Sequence, residues 1–157
     1  MLDGETLLET KDLCVEYADA GELFARKRKA LRILHNFNLK IRTGETLAIV
    51  GESGCGKTTL ANCIARFIPA ASGEVLFEGS DVLKKLEPDL LAYRRNMQIV
   101  FQNPFSSLNP RMTVSAILSE PLKTHTSLGK DERLAKAREL LAETGLKEAF
   151  LDRYPHE

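Results

Sequence analysis

Residues 51–58 read Gly-Glu-Ser-Gly-Cys-Gly-Lys-Thr, and this octapeptide decides how the rest of the chain is interpreted. It matches in full the G-x-x-x-x-G-K-[ST] pattern of a phosphate-binding loop. The apolar run Thr-Leu-Ala-Ile-Val at residues 46–50 directly precedes it, and Leu60, Ile64 and Phe67 follow at helical spacing. The predicted order of strand, glycine-rich loop and helix is the one this motif requires. The alternative is a glycine-rich turn that only joins a strand to a helix.

Such a loop holds phosphate groups through many weak donors. Glycines permit backbone angles that other residues avoid, so successive amide N–H groups can converge on an anion. Lys57 would supply a positive charge to the outer phosphates, and the Thr58 hydroxyl would bind magnesium. The residues predicted to contact the nucleotide are Gly51, Glu52, Ser53, Gly54, Cys55, Gly56, Lys57, Thr58 and Thr59.

Composition limits the other classes of function. The 157 residues include 22 basic and 22 acidic side chains, so no overall field would attract the chain to nucleic acid. The cysteines Cys14, Cys55 and Cys63 have no C-x-x-C spacing, which argues against a zinc site or a disulfide framework. No apolar run approaches the length needed to cross a bilayer.

Periodicity predicts an alternation of strands and helices. The 46–50 run is apolar throughout, which is typical of a parallel strand buried on both faces. The segment between residues 18 and 30 has no periodicity, and its basic run at 26–29 is interpreted as a solvated loop. The other predicted strands are 7–17, 34–41, 74–77 and 97–101, and the predicted helices are 57–67, 90–95, 114–118 and 134–142, the last capped by Gly145.

Three stretches in this order, residues 51–59, Ser-Gly-Glu-Val at 72–75 and Gln-Ile-Val-Phe-Gln-Asn-Pro at 98–104, resemble the ATP-binding subunits of ABC transporters. Ser-Ser-Leu-Asn-Pro-Arg-Met-Thr-Val at 106–114 and Arg-Tyr-Pro-His-Glu at 153–157 are similar to the oligopeptide, dipeptide and nickel importer branch. The resemblance implies an α/β fold: a P-loop NTPase (RecA-like) core with an N-terminal antiparallel β region and a partial helical subdomain. The implied division is an ATP-binding core at 1–102, then the Q-loop and the helical subdomain at 103–157, incomplete at its C-terminus.

The resemblance also implies roles for two residues outside the loop. Gln102 would contact magnesium and the attacking water as the catalytic glutamine that ends the second core strand. An amide at a strand end that only faces solvent is the alternative. Tyr17 would stack on adenine, with Phe24 as the other candidate.

By family, the chain is then expected to be the ATP-binding subunit of a peptide importer with ATP and Mg²⁺ as cofactors. It would lie in the cytoplasm on the inner face of the membrane, bound to permease subunits and a second ATP-binding subunit, and indirectly to a substrate-binding protein. No Leu-Ser-Gly-Gly-Gln signature or acidic strand occurs in the chain, so we expect ATP binding with little hydrolysis. A metabolite kinase and a catalytically silent interaction module are the alternatives, and the transported solute is left open.

Overall fold

The computed structural model describes residues 4–18, 30–103 and 107–157. The chain forms two compact units, of which the first extends to Gln98 and the second begins at Ile99. Phe24, the basic run at 26–29 and Ser106 lie outside the described residues. The functional division into 1–102 and 103–157 stays a prediction.

A four-stranded antiparallel sheet organises the first unit. Its order is β2-β1-β3-β4, where β1 is Thr6–Ala18, β2 is Ala30–Arg42, β3 is Ser72–Phe77 and β4 is Ser80–Asp81. The strands predicted at 7–17, 34–41 and 74–77 are confirmed, and so is the N-terminal antiparallel region. Leu13 and Val15 of β1 are buried, whereas Lys11 on the same strand is exposed.

Two helices accompany this sheet. Helix α1 is Lys57–Ile64 and α2 is Asp89–Asn96, the latter after a short 3-10 helix at Val82–Lys84. Helix α1 ends before residue 67, because Arg66 adopts a left-handed φ of 62° that a helix cannot continue. The buried apolar core of the unit is formed by Leu8, Leu13, Val15, Leu34, Leu60, Cys63, Ile64, Val75, Val82 and Tyr93.

Two strand predictions are wrong. Residues 46–50 and 97–101 have no regular secondary structure, and Val50 and Val100 are 92% and 94% exposed. An unbroken apolar run indicates burial only if other elements hydrogen-bond to it and cover its faces. The four described strands pair with one another in the antiparallel sheet, and none of them pairs with either segment.

The second unit is mainly helical. Helix α3 is Val114–His125, α4 is Lys130–Glu143, and a 3-10 helix follows at Glu148–Phe150. Its buried core consists of Ala137, Leu141 and Leu151. Gly145 follows α4 with a φ of 74° and its N–H donates to the Ala142 carbonyl at 3.0 Å, so the predicted cap is confirmed. Within the described ranges, no helix has the length and apolar character that crossing a membrane requires.

A buried tyrosine joins α2 to the end of α1. The Tyr93 hydroxyl donates to the Ile64 carbonyl at 2.6 Å, and its ring meets that of Phe77 edge-on at 5.4 Å. The Ile64 carbonyl is one of the last in α1 and has no partner within the helix. Burial raises the pKa of Tyr93 to about 12, so the hydroxyl keeps its proton as a donor well above neutral pH.

Tyr93→Phe should lower the free energy of unfolding at pH 7 by roughly 1 to 3 kcal/mol, because the Ile64 carbonyl loses its partner while the ring packing remains. A tyrosine in an unfolded chain has a pKa of about 10. The neutral phenol of Tyr93 therefore contributes its full stabilisation of the folded state below that pH. This contribution is lost as the pH rises towards the folded pKa of about 12.

Urea unfolding at pH 7 and between pH 9 and 12 measures both effects, with exposed Tyr154→Phe as the control. We expect the alkaline loss of stability to be smaller in Tyr93→Phe than in the wild type and unchanged in Tyr154→Phe. Equal pH dependence in all three proteins would refute this role.

Candidate phosphate-binding site

The loop between residue 51 and α1 has a backbone that depends on two glycines. Gly54 has a φ of 84° and Gly56 a φ of 98°, both in the left-handed region. Residues 51–55 are exposed, whereas Gly56 is buried and directly precedes the first residue of α1. The loop is thus exposed to solvent as far as Cys55, while its last glycine packs against the protein.

Gly56 is held against β2. A Cβ atom at Gly56 would lie 3.0 Å from Leu34 Cδ2 and 3.1 Å from Ile33 Cγ2. These separations are tighter than ordinary van der Waals contact, so hydrogen is the only side chain that fits without a shift. The contact fixes where α1 begins relative to the sheet.

The start of α1 is available to an anion. The N-cap residue Gly56 has no side chain to cap this end, and the first turn of the helix contains no acidic residue. The unpaired N–H groups of the first turn and the positive end of the helix dipole therefore favour a phosphate group. Thr58 is exposed in this turn.

Lys57 folds back over the loop. Its Nζ donates to the carbonyls of Gly51 and Glu52, each at 2.7 Å, and approaches Cys55 Sγ at 3.4 Å. An ammonium has three donors, and here all three point to loop atoms. The positive charge thus lies beside the Gly51 and Glu52 carbonyls, and phosphate oxygens would compete with these neutral groups for it.

Cys55 lies across the loop from Gly51. A Cβ atom at Gly51 would be 2.8 Å from Cys55 Sγ, so the thiol occupies the space that a side chain at Gly51 would need. Glu52, Ser53 and Thr59 complete the predicted contact set, with Glu52 and Ser53 exposed and Thr59 half-buried. Glu52 also closes the turn, because its carbonyl accepts from the Cys55 N–H at 3.3 Å.

The predicted residues outside the loop fall in different units. Tyr17 lies near the end of β1 in the first unit and is 43% exposed, which leaves part of the ring accessible. Gln102 belongs to the second unit, where it is exposed at a bend and not at a strand end. The roles of both residues stay predictions.

The sequence interpretation missed the residues beneath the loop. Ile33 and Leu34 form the surface on which Gly56 rests. The sequence predicts Leu34 only as the first residue of a strand, since strand periodicity does not say which element covers the buried face. The useful signal would have been the glycine that directly precedes a helix, because such a glycine often permits close packing.

Comparison with known proteins identifies the family. Residues 34–157 match the protein family described as ABC transporter, and this range contains the whole loop. The chain belongs to the ABC transporter family. Relatives of this ABC transporter chain include the oligopeptide transport ATP-binding protein AppF of Bacillus subtilis, which is 42% identical over 98% of the chain and 47% of AppF.

A second relative is the dipeptide transport ATP-binding protein DppF of Escherichia coli, which is 42% identical over 97% of the chain and 45% of DppF. A third is the nickel import ATP-binding protein NikE of Shigella dysenteriae, which is 39% identical over 96% of the chain and 55% of NikE. The chain thus spans about half the length of the curated relatives it matches. These similarities agree with the importer branch indicated by the sequence motifs.

Solved structures support the fold. A dimeric bacterial ABC transporter cassette, MJ0796, has a TM-score of 0.74 at 29% identity and is matched over 95% of this chain and 62% of the cassette. A post-hydrolysis state of MJ0796 bound to ADP and Pi has a TM-score of 0.73 at 28% identity over 95% of this chain and 62% of that one. The predicted α/β P-loop NTPase fold class is therefore confirmed.

Two substitutions separate packing from backbone strain in the loop. Gly54→Ala should cost roughly 1 to 2 kcal/mol, because alanine disfavours the left-handed region while the space around Gly54 is open. Gly56→Ala has the same backbone penalty and also meets Leu34 and Ile33. We expect its free energy of unfolding to fall by about 1 kcal/mol more than that of Gly54→Ala.

Chemical denaturation of the wild type and both variants measures the difference. An equal decrease in the free energy of unfolding of the two variants would mean that β2 shifts without a free-energy cost and that Gly56 is not held by packing.

Proposed function

We propose that the chain binds ATP with Mg²⁺ at the phosphate loop and serves as the ATP-binding part of a peptide importer. One observation carries the proposal: an exposed loop with two left-handed glycines leads into the uncapped N-terminus of α1, and the Lys57 ammonium lies against the Gly51 and Glu52 carbonyls of that loop. The names of the relatives at about 40% identity support ATP and peptide transport as the substrate and the process.

The donor set fits the nucleotide and its metal. The N–H groups of residues 53–58 and the first turn of α1 would hold phosphate oxygens, and Lys57 would exchange its loop carbonyls for them. The exposed Thr58 hydroxyl is an oxygen ligand of the kind that Mg²⁺ accepts beside phosphates. When bound, magnesium supplies charge neutralisation for the phosphates.

We also propose roles for Gln102 and Tyr17. A neutral amide such as that of Gln102 can offer its oxygen to a cation and withdraw without leaving a charge behind. The exposed ring of Tyr17 provides a stacking surface for adenine. Gln102 is therefore proposed as the metal-contacting and catalytic glutamine of the whole protein.

The proposed partners follow from the family. The relatives named as transport ATP-binding proteins support permease subunits as membrane partners, with a substrate-binding protein engaged indirectly. The dimeric cassette among the similar structures supports pairing with a second ATP-binding subunit. The chain would then lie on the cytoplasmic face of the membrane and be attached through its partners.

Lys57→Ala should weaken MgATP binding roughly ten- to a hundredfold, because a charge-assisted contact to phosphate contributes about 1.5 to 3 kcal/mol. Lys40→Ala is the matched control, since it removes the same charge from β2 of the same unit, where Lys40 pairs with Glu9 at 3.1 Å. Isothermal titration with MgATP compares the dissociation constants.

We expect the wild type and Lys40→Ala to bind alike. Equal affinity of Lys57→Ala and the wild type would contradict nucleotide binding at the loop. Absence of MgATP binding by the wild type would favour the silent interaction module.

A further inference from the structure

A pocket lies between helices α3 and α4 of the second unit. Its volume is about 330 Å³, which is within the usual range for small-molecule sites. Four of its side chains carry hydrogen-bond donors, two are apolar and none is acidic. The residues that line it are Ser115, Ala116 and Ser119 of α3 and Lys130, Arg133 and Leu134 of α4. This lining has the chemistry of a site for an anion with a small organic part.

Two cations line the pocket from the side of α4. Lys130 and Arg133 are three residues apart, and residues at this spacing are neighbours on a helix surface. Like charges at such a distance repel each other, so their juxtaposition weakens the helix when the pocket is empty. An anion between the two side chains would replace this repulsion with two attractions.

The other two basic residues of α4 pair with carboxylates. Lys136 pairs with Glu139 and Arg138 with Glu148, each at 2.6 Å. Among the residues that the structure describes, these are the ion pairs of the second unit, and neither includes a cation of the pocket. The positive charge at the pocket is therefore not balanced by an ion pair within the described ranges.

Arg133 is held in position beside the pocket. Its side chain is half-buried, and one of its guanidinium N–H groups donates to the Leu128 carbonyl. A guanidinium has five N–H donors in a planar fork, so this bond fixes the group and leaves donors for a ligand. A cation that is already oriented loses less freedom when an anion binds.

Hydroxyl groups line the pocket from the side of α3. Ser115 and Ser119 are one helical turn apart, and both are half-buried. The Ser115 hydroxyl lies 3.1 Å from that of Thr113, the N-cap residue of α3. Serine hydroxyls both donate and accept, so they can donate to the oxygens of an anion that the two cations attract.

The donors of the pocket are side chains and not the end of α4. The backbone N–H of Gly129, the N-cap residue of α4, donates to the Glu132 carboxylate at 2.6 Å. A carboxylate of the chain itself thus already serves as the anion at this helix terminus. The case for a ligand depends on the cations and hydroxyls that the two helices bring together.

We propose that the pocket between α3 and α4 binds a small phosphomonoester. The two cations and the two serine hydroxyls would hold the phosphate group, and Ala116 and Leu134 would contact the organic part. A bare phosphate ion would gain nothing from these apolar residues. The pocket lies in the second unit, so this inference does not depend on nucleotide binding at the phosphate loop.

An NMR titration with glycerol 3-phosphate, with glycerol as the uncharged control, locates the site. We expect saturable shifts of the amide resonances at residues 115–119 and 130–134, and no such shifts with glycerol. Because the phosphate loop would also attract this compound, the titration is repeated with Lys57→Ala, where the shifts in the second unit should persist. Shifts confined to residues 51–58 would overturn the proposal.

Three variants test the contributions of the lining. Arg133→Gln should raise the dissociation constant for glycerol 3-phosphate roughly tenfold, and Lys130→Gln about threefold, because Lys130 is exposed. Ser119→Ala should raise it roughly two- to threefold without a change in charge. Lys136→Gln is the matched control, since it removes a charge from α4 outside the pocket.

The pattern among the variants decides between a built site and general attraction. We expect Lys136→Gln to bind as tightly as the wild type. Equal weakening in Lys136→Gln and Lys130→Gln, or unchanged binding in both Lys130→Gln and Ser119→Ala, would overturn the proposal. These two exposed or small changes keep the test decisive even if Arg133→Gln fails to fold after losing its bond to the Leu128 carbonyl.

A phosphomonoester can come from a soluble metabolite or from a lipid headgroup. Cosedimentation with phosphatidylcholine vesicles that contain phosphatidic acid distinguishes these sources. Vesicle binding that Lys130→Gln weakens and Lys136→Gln does not would assign the site to a lipid phosphate. Binding of glycerol 3-phosphate without vesicle binding would assign it to a soluble metabolite, and binding of neither would refute the site.

Discussion

The close packing of Gly56 on β2 is the constraint on which the rest of the site depends. A residue that combines a φ of 98° with almost no space for a Cβ atom must be glycine. This contact sets the first residue of α1 against the sheet, and the direction of the helix then sets where the free N–H groups point. The position of Lys57, one residue later, follows from the same contact.

The part of the sheet that contacts the loop has an irregular register. The β1-β2 pair contains several register shifts, one of which lies where Ile33 and Leu34 meet Gly56. A bulge increases the local twist and redirects side chains, which explains why two consecutive residues of β2 can both contact one glycine. The buried Tyr93 holds the other end of α1 through the Ile64 carbonyl. Both ends of the short helix are thus attached to neighbouring elements.

Much of this arrangement could be predicted from the sequence, and the reason differs between elements. The strands β1 and β2 alternate, and α1 follows a complete motif, so local pattern and motif were enough. The strand predictions at 46–50 and 97–101 are wrong, because apolar composition indicates a buried strand only when neighbouring elements cover it, and Val50 and Val100 are exposed. The bulge at Ile33 leaves no trace in hydrophobic periodicity, so the close packing of Gly56 on β2 could not be predicted from the sequence. The role of Gln102 was inferred from family resemblance alone, and it remains a prediction.

We propose above that the backbone of residues 51–58 holds the phosphates of a nucleotide. The most direct measurement follows the backbone amide resonances of the chain by NMR during titration with MgATP. We expect the largest shifts at residues 53–58, whose N–H groups would donate to phosphate oxygens, that of Cys55 in place of the Glu52 carbonyl. Saturable binding with these resonances unmoved and the largest shifts in the second unit would contradict it.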